Sequence, residues 1–265
     1  MKQIKYLVVD IGNSNCKINV INQDFKILDN VKIVKIKKYD VNLIVENISK
    51  LVIKHKISTG LIGSVVLNLT KKIITQIKEE NLGIRLFDME EFRECISYKI
   101  DSNLLKQKGI DLIANSEYLS QSFDGEETKG IFLFGTATVF IALKNNSYYE
   151  VAITLGLART IINLIKDASI LNKRYYKQIS NMSNKEVIAF AKTVIPNIYR
   201  GSIISLEGFV TECKNIYLNN KNTYFISGGD ANLISQNFHQ FIEEETTSKG
   251  YLLMYKNYKK IHTNQ

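Results

Sequence analysis

The sequence predicts an α/β protein made of two similar halves, each a mixed sheet flanked by helices. Short apolar runs alternate with segments of helical period along the 265 residues. Two of those runs end at glycine-bearing turns, Asp10-Ile11-Gly12-Asn13-Ser14 and Gly135-Thr136-Ala137-Thr138, and each turn opens a three-strand meander that helices follow. The apolar share is 45% and the charged share 23%, which is ordinary globular usage and excludes collagen-like, coiled-coil and wholly disordered chains. This length gives each half enough residues for a core. The expected halves are 1–120 and 121–265, with Gln121 to Lys129 as the polar linker.

In the first half, Tyr6-Leu7-Val8-Val9 is a continuous apolar run and reads as a buried strand. A second strand follows through Asn22, and a third, Asp29 to Ile36, alternates polar and apolar residues. Val41, Leu43, Ile44, Ile48, Leu51 and Val52 recur at helical spacing over 41–54. Gly60 to Val66 is a small-residue strand, Thr70 to Glu80 a helix and Ile84 to Phe87 another short strand. Gly109-Ile110-Asp111 opens a further helix.

In the second half, strands are expected before Gly135, over 140–144 and over 148–153. A long helical region covers 157–216. Within it Ser183 and Glu186 form a capping box, and Pro196, the only proline, ends one helix or starts the next. Thr223 to Ser227 is a buried strand ending at Gly228-Gly229-Asp230, with a last helix expected over 231–243.

Thirty-five basic against 26 acidic residues give a net charge of +9. The lysines are spread along the chain, with no arginine-rich stripe and no aromatic RNA-binding motif, so no nucleic-acid partner is expected. The summed charge still favours anionic small molecules such as nucleotides. No apolar run approaches the roughly 20 residues of a membrane span, and Asp10 comes too early for a signal-peptide core. Cys16, Cys95 and Cys213 are scattered and odd in number, which suits reduced thiols; the expected compartment is the cytoplasm.

Three turns are candidates for chemistry. Asp10, at the end of a buried strand, can hold Mg²⁺; Gly12, Asn13 and Ser14 can present backbone amides to phosphate, and Lys17 can neutralise its charge. The same residues also make an ordinary hairpin turn with a capping aspartate. Gly135, Thr136, Ala137 and Thr138 offer amides and hydroxyls or a plain glycine bend, and Gly228 and Gly229 offer close approach to a flat ligand or a strand-to-helix turn. Asp111 is either a dipole-favourable acid in a helix's first turn or a carboxylate that deprotonates an attacking hydroxyl. There is no Gly-x-Gly-x-x-Gly and no P-loop.

In this order the segments resemble the type III pantothenate kinase family of the actin and sugar-kinase superfamily, over nearly the whole chain. Asp10-Ile11-Gly12-Asn13-Ser14 with Lys17 is similar to the family's first phosphate motif, and Gly60 to Val66 to its Ser-Val-Val strand. Gly109-Ile110-Asp111 is similar to its Gly-x-Asp-Arg, Gly135 to Thr138 to its second phosphate motif, and Ser227 to Asp230 to its adenosine-side Gly-Gly.

The resemblance implies two ribonuclease-H-like halves, as in actin-like ATPases, and transfer of the γ-phosphate of ATP to pantothenate as the first step of coenzyme A synthesis. It implies Mg²⁺, a monovalent cation (K⁺ or NH₄⁺) and a homodimer. It also makes Asp111 the base, with Gly109 and Ile110 beside the acceptor. Several positions depart from the family pattern. Leu112 replaces the Arg after the base; Leu133, Val139 and Ile141 replace Asp, Thr and Asp of the second phosphate motif; Leu155-Gly156 replaces Pro-Gly; and the family's Asn-Thr segment, which reaches the partner's substrate, has no clean match near Thr193. Those departures set a second expectation beside the first: an impaired paralogue that serves as partner subunit, in a heterodimer with an intact copy, or as a regulatory binder of nucleotide.

Overall fold

The computed structural model describes residues 4–35, 38–66 and 68–263; Ile36, the expected last residue of the third strand, lies outside them. The elements run β1 (Lys5–Ile11), β2 (Asn15–Asn22), β3 (Ile27–Val34), α1 (Val41–His55), β4 (Thr59–Ser64), α2 (Leu69–Glu79) and β5 (Arg85–Asp88). A 3₁₀ turn, Met89–Phe92, leads to α3 (Ser102–Gln107) and α4 (Ile110–Ser120). Then come β6 (Thr128–Phe134), β7 (Ala137–Lys144), β8 (Ser147–Leu155), α5 (Leu157–Asp167), α6 (Ser169–Leu171) and α7 (Lys177–Ile179). The chain closes with α8 (Asn184–Val194), α9 (Pro196–Tyr217), β9 (Tyr224–Ser227) and α10 (Thr246–Thr263).

The chain forms two compact units, Met1–Ser122 with Thr246–Gln265, and Phe123–Glu245. Residues 246–265, expected in the second half, therefore lie with the first. The first sheet has the order β3-β2-β1-β4-β5 and the second β8-β7-β6-β9. Strand for strand, β1 to β4 correspond to β6 to β9, each set with two antiparallel hairpin pairings and one parallel pairing; β5 adds a second parallel pairing to the first sheet. The duplication seen in the two turns is thus a duplication of topology.

Alternation along β1 separates two cores. Leu7, Val9 and Ile11 pack with Ile44, Ile48 and Ile73 of α1 and α2. Tyr6 and Val8 face the other way, against Ile110, Ile113 and Ala114 of α4 and Leu252 and Met254 of α10. Asp10 continues this second row, because residues two apart share a sheet face.

Local signals explain the helix boundaries. The Asp40 carboxylate accepts from the Asn42 and Leu43 amides at 3.0 and 3.3 Å and starts α1. The capping box of Ser183 and Glu186 starts α8, and Pro196 begins α9 directly after α8 ends. The helical region after residue 157 is broken, with a π-helical turn over Asn172–Tyr176.

The last helix is not where its pattern predicts. Over 231–243 the chain makes two 3₁₀ turns, Ala231–Leu233 and Gln236–Phe241, and Ile242 then bridges to Ile226 at the edge of β9. Asn232, Ser235 and Asn237 favour turns over helix, and Phe238, Phe241 and Ile242 cover the second core instead. The helix forms later, as α10. Tyr251 to Tyr255 are all buried, so this stretch of the helix is apolar round its girth and shows no one-sided period.

A buried polar network fastens α10. Asn19 of β2 donates to the Ser248 hydroxyl at 2.9 Å, the Thr246 hydroxyl donates to Asn115 Oδ1 at 2.6 Å, and Asn115 Nδ2 donates to Thr247 at 2.9 Å. Glu117, fully buried, accepts from the Ser97 amide and from Asn257 of α10 at 2.7 and 2.8 Å. Between these bonds Gly250 lies directly on the backbone of Ala114, where a Cβ would overlap its carbonyl oxygen.

Alanine is favoured over glycine inside a helix by about 1 kcal/mol, but Gly250→Ala must push two backbones apart, so a net loss of about 1–2 kcal/mol in urea unfolding is expected. A G250A protein as stable as the parent would show that the helices separate freely. Asp29, 2.7 Å from Lys54 Nζ and 2.8 Å from His55 Nε2, has its carboxyl held down at about 2 by those two hydrogen bonds. Its stabilisation is present above the unfolded carboxyl range near about 4 and is lost as pH falls through about 2. Asp29→Asn should therefore cost stability at neutral pH and much less at pH about 2, read by thermal unfolding at both.

Candidate active site

Asp10 sits at the end of the central strand of the first sheet, opposite Lys17 on β2 and Gly63 on β4. All three belong to the face that α4 and α10 cover. The turn that follows is braced from several sides. The Gly12 amide donates to the Asn15 carbonyl at 2.9 Å, the Tyr39 hydroxyl to the Gly12 carbonyl at 2.7 Å, and the Lys35 amide to the Ser14 carbonyl at 2.9 Å. No residue from Asp10 to Asn15 has positive φ, and the Gly12 amide is engaged within the turn. The glycine gives a tight hairpin here; it does not make a left-handed nest.

Asp111 stands in the first turn of α4, after the cap residue Gly109. Its Oδ1 accepts from the Leu112 amide at 2.8 Å, and it lies so close to Gly109 that a Cβ there would meet it. Burial pushes the Asp111 carboxyl up, against the pull of the Leu112 amide and its own. Ile110 is buried and anchors the helix in the core. Beside this helix start opens a cleft of about 400 Å³, lined by Ser64, Val65, Lys71, Asp88, Lys108 and Gly109 among others. Burial also pushes Asp88 up. At its wall Ser64 braces the end of β4, accepting from the Val66 amide at 2.9 Å. The cleft residues Lys71 and Asp88 carried no sequence signal: one is an exposed helix lysine, the other a strand-end aspartate that also caps a turn.

In the second unit the other candidates come together. The Gly135 amide donates to the Ala137 carbonyl at 3.1 Å, the Gly156 amide to Thr136 at 3.2 Å, and the Asp230 amide to Phe134 at 3.2 Å. Gly156 rests on the carbonyls of Gly135 and Thr136, and Gly228, at φ +103, rests on the backbone of Phe134. Gly135 to Thr138 and Gly228-Gly229 therefore form one cluster of bends at the ends of β6 and β9. Ala137, Gly228 and Gly229 are exposed, while the Thr138 hydroxyl is buried without a hydrogen-bond partner.

The positions that depart from the family pattern are apolar and paired. Leu133 faces Val139 and Ile131 faces Ile141 across the β6–β7 ladder, and Ile141 is fully buried. Leu133 is the topological counterpart of Asp10, two residues before its turn glycine, so the duplicated carboxylate is missing from the second sheet. Among the described residues no three His, Cys, Asp or Glu side chains cluster as metal ligands, and no helix is long and apolar enough to cross a membrane.

Residues 6–215 match the family described as type III pantothenate kinase. The chain belongs to that family. It is 30% identical over 257 residues to a type III pantothenate kinase of Mycoplasmopsis synoviae (strain 53), covering 94% of this chain and 95% of that one. A type III pantothenate kinase of Malacoplasma penetrans (strain HF-2) is 29% identical over 258 residues, with the same coverage. Among solved structures, the activator of the 2-hydroxyisocaproyl-CoA dehydratase from Clostridium difficile, with bound ADPNP, is similar in fold at a TM-score of 0.52 and 11% identity, covering 98% of each chain. The fold is the duplicated ribonuclease-H-like fold of actin-like ATPases.

The bend cluster makes a direct prediction. Gly228→Ala places a side chain at positive φ and on the Phe134 backbone, and should cost about 1–3 kcal/mol. Gly201→Ala, in open space on α9, should instead stabilise by about 0.5–1 kcal/mol. Hydrogen exchange at the Asp230 and Gly156 amides, faster in the first variant only, checks both.

Proposed function

We propose that the protein transfers the γ-phosphoryl group of ATP to the hydroxyl of pantothenate, giving 4′-phosphopantothenate for coenzyme A synthesis. The observation that carries this reading is the gathering of Asp10, Lys17 and Asp111 on the α4–α10 side of the first sheet, in a chain of this family. Phosphoryl transfer runs through a loose transition state, so catalysis is positioning and electrostatics more than covalent chemistry. Lys17 neutralises phosphate charge. Asp111 takes the proton from the attacking hydroxyl, and the cleft at Gly109 and Ile110 holds the acceptor. The exposed bends at Ala137 and Gly228-Gly229 serve the nucleotide with main chain alone.

The donor chemistry fits Mg²⁺: an aspartate oxygen at a strand end, with the Ser14 hydroxyl in the next turn, matches an ion that takes one or two carboxylates and completes its shell with water and phosphate. When bound, the ion offsets charge on the phosphates, and Asp10 is the residue that would hold it. The second sheet has no carboxylate at 133, 139 or 141, so those positions do not fit a monovalent cation and no part of the reaction is assigned to one. The reading extends to a homodimer in the cytoplasm. Its supports are the exposed Tyr149, Ile153 and Leu155 on the edge strand β8 and the three free cysteines.

Purified protein with Mg-ATP and pantothenate should yield phosphopantothenate by mass spectrometry, and Asp111→Asn should lower the rate about 10²–10⁴-fold. Because Asp111 must be ionised to act and burial raises its pKa, kcat/KM should fall as pH drops through a value above the ordinary aspartate range. Undiminished product from D111N removes Asp111 as base, and no product from the parent chain overturns the reading.

A further inference from the structure

Tyr251 is fully buried on α10, among Val8, Ile113 and Met254. Its hydroxyl makes no hydrogen bond of regular geometry. It lies against the Cα of Gly63, so closely that any side chain at 63 would overlap the phenol ring. Gly63 is the strand partner of Asp10, and the Asp10 carboxylate is near enough to act as the hydroxyl's acceptor. A buried phenol keeps its proton at neutral pH and is a donor there.

A phenylalanine would fill the same space without burying a hydroxyl, which costs about 1–3 kcal/mol when unpaired. Glycine inside a strand is a second cost, about 0.5–1 kcal/mol. The core thus accepts a strand glycine and a buried hydroxyl that needs an acceptor, and brings that O–H beside the Asp10 carboxylate. We propose that Tyr251 is a positioning residue whose hydroxyl donates to Asp10 and holds that carboxylate toward the phosphate turn. The role assigned to Asp10 rests on the proposed function. Tyr251 itself touches neither substrate nor nucleotide.

The test is Tyr251→Phe, with Tyr255→Phe as control: Tyr255 is buried on the same helix but packs against Tyr6 and Phe87. Binding of ADP is measured by calorimetry as a function of Mg²⁺, beside steady-state kinetics and thermal unfolding. For Y251F, the Mg²⁺ concentration that half-restores ADP binding should rise about tenfold and kcat should fall about tenfold. Its KM for pantothenate and its metal-free ADP binding should hold within about twofold. Y255F should leave all of these alone. Parent-like Mg²⁺ dependence in Y251F overturns the proposal, as does a loss of melting temperature with no change in Mg²⁺ dependence. Absence of pantothenate phosphorylation by the parent would defeat the functional reading, while the calorimetric comparison would still decide the role of Tyr251.

Discussion

At Gly250 the C-terminal helix meets the backbone of Ala114 with no side chain between them, and the site in the first unit depends on that contact. One residue further, Tyr251 reaches Gly63 beside Asp10. Before it, Ser248 and Thr246 are tied to Asn19 and Asn115. Asn115 in turn donates to the Asp111 carbonyl at 2.8 Å, so the bonds that seat α10 also fix the turn of α4 that carries Asp111. Buried polar networks of this kind are costly when broken and specific when whole. Two carboxylates from distant parts of the sequence are set by one helix pairing.

The two sheets share a topology but divide the chemistry. The first places charge at its strand ends: Asp10, Lys17 and, on the covering helix, Asp111. The second has leucine where the first has Asp10, and its contribution is backbone shape: Gly156 rests on the carbonyls of Gly135 and Thr136, and Gly228 on the backbone of Phe134. Apolar pairing at Leu133–Val139 strengthens that ladder while removing charge from it. Fixed charge at the strand ends thus belongs to the first sheet, and close backbone approach to the second.

Much of this was legible where a local signal and the tertiary demand agree. β1, α1 and the start of α8 follow from an apolar run, a helical period and a capping box, and all three form at those residues. The site turns were legible as turns for the same reason. Their hydrogen bonding was not: the Gly12 and Gly135 amides close their own bends, a fact set by the flanking strands and invisible in composition. The segment 231–243 misled because aromatic residues that cover β9 also happen to fit a helix. Tyr251 gave no warning at all. Its neighbours Gly250 and Leu252 read as a plain apolar stretch, and its partner Gly63 is nearly two hundred positions away.

The chain leaves the first unit at Ser122 and rejoins it at Thr246. During synthesis, every residue of the second unit emerges from the ribosome before the helix that completes the first. Until then Val8, Leu61 and Ile113 have no roof, and Asn19 and Asn115 lack their hydroxyl partners. The earliest-made sheet is therefore the last to mature, and a nascent chain stalled short of residue 246 exposes an unfinished core. Such a product is a natural target for chaperones and proteases.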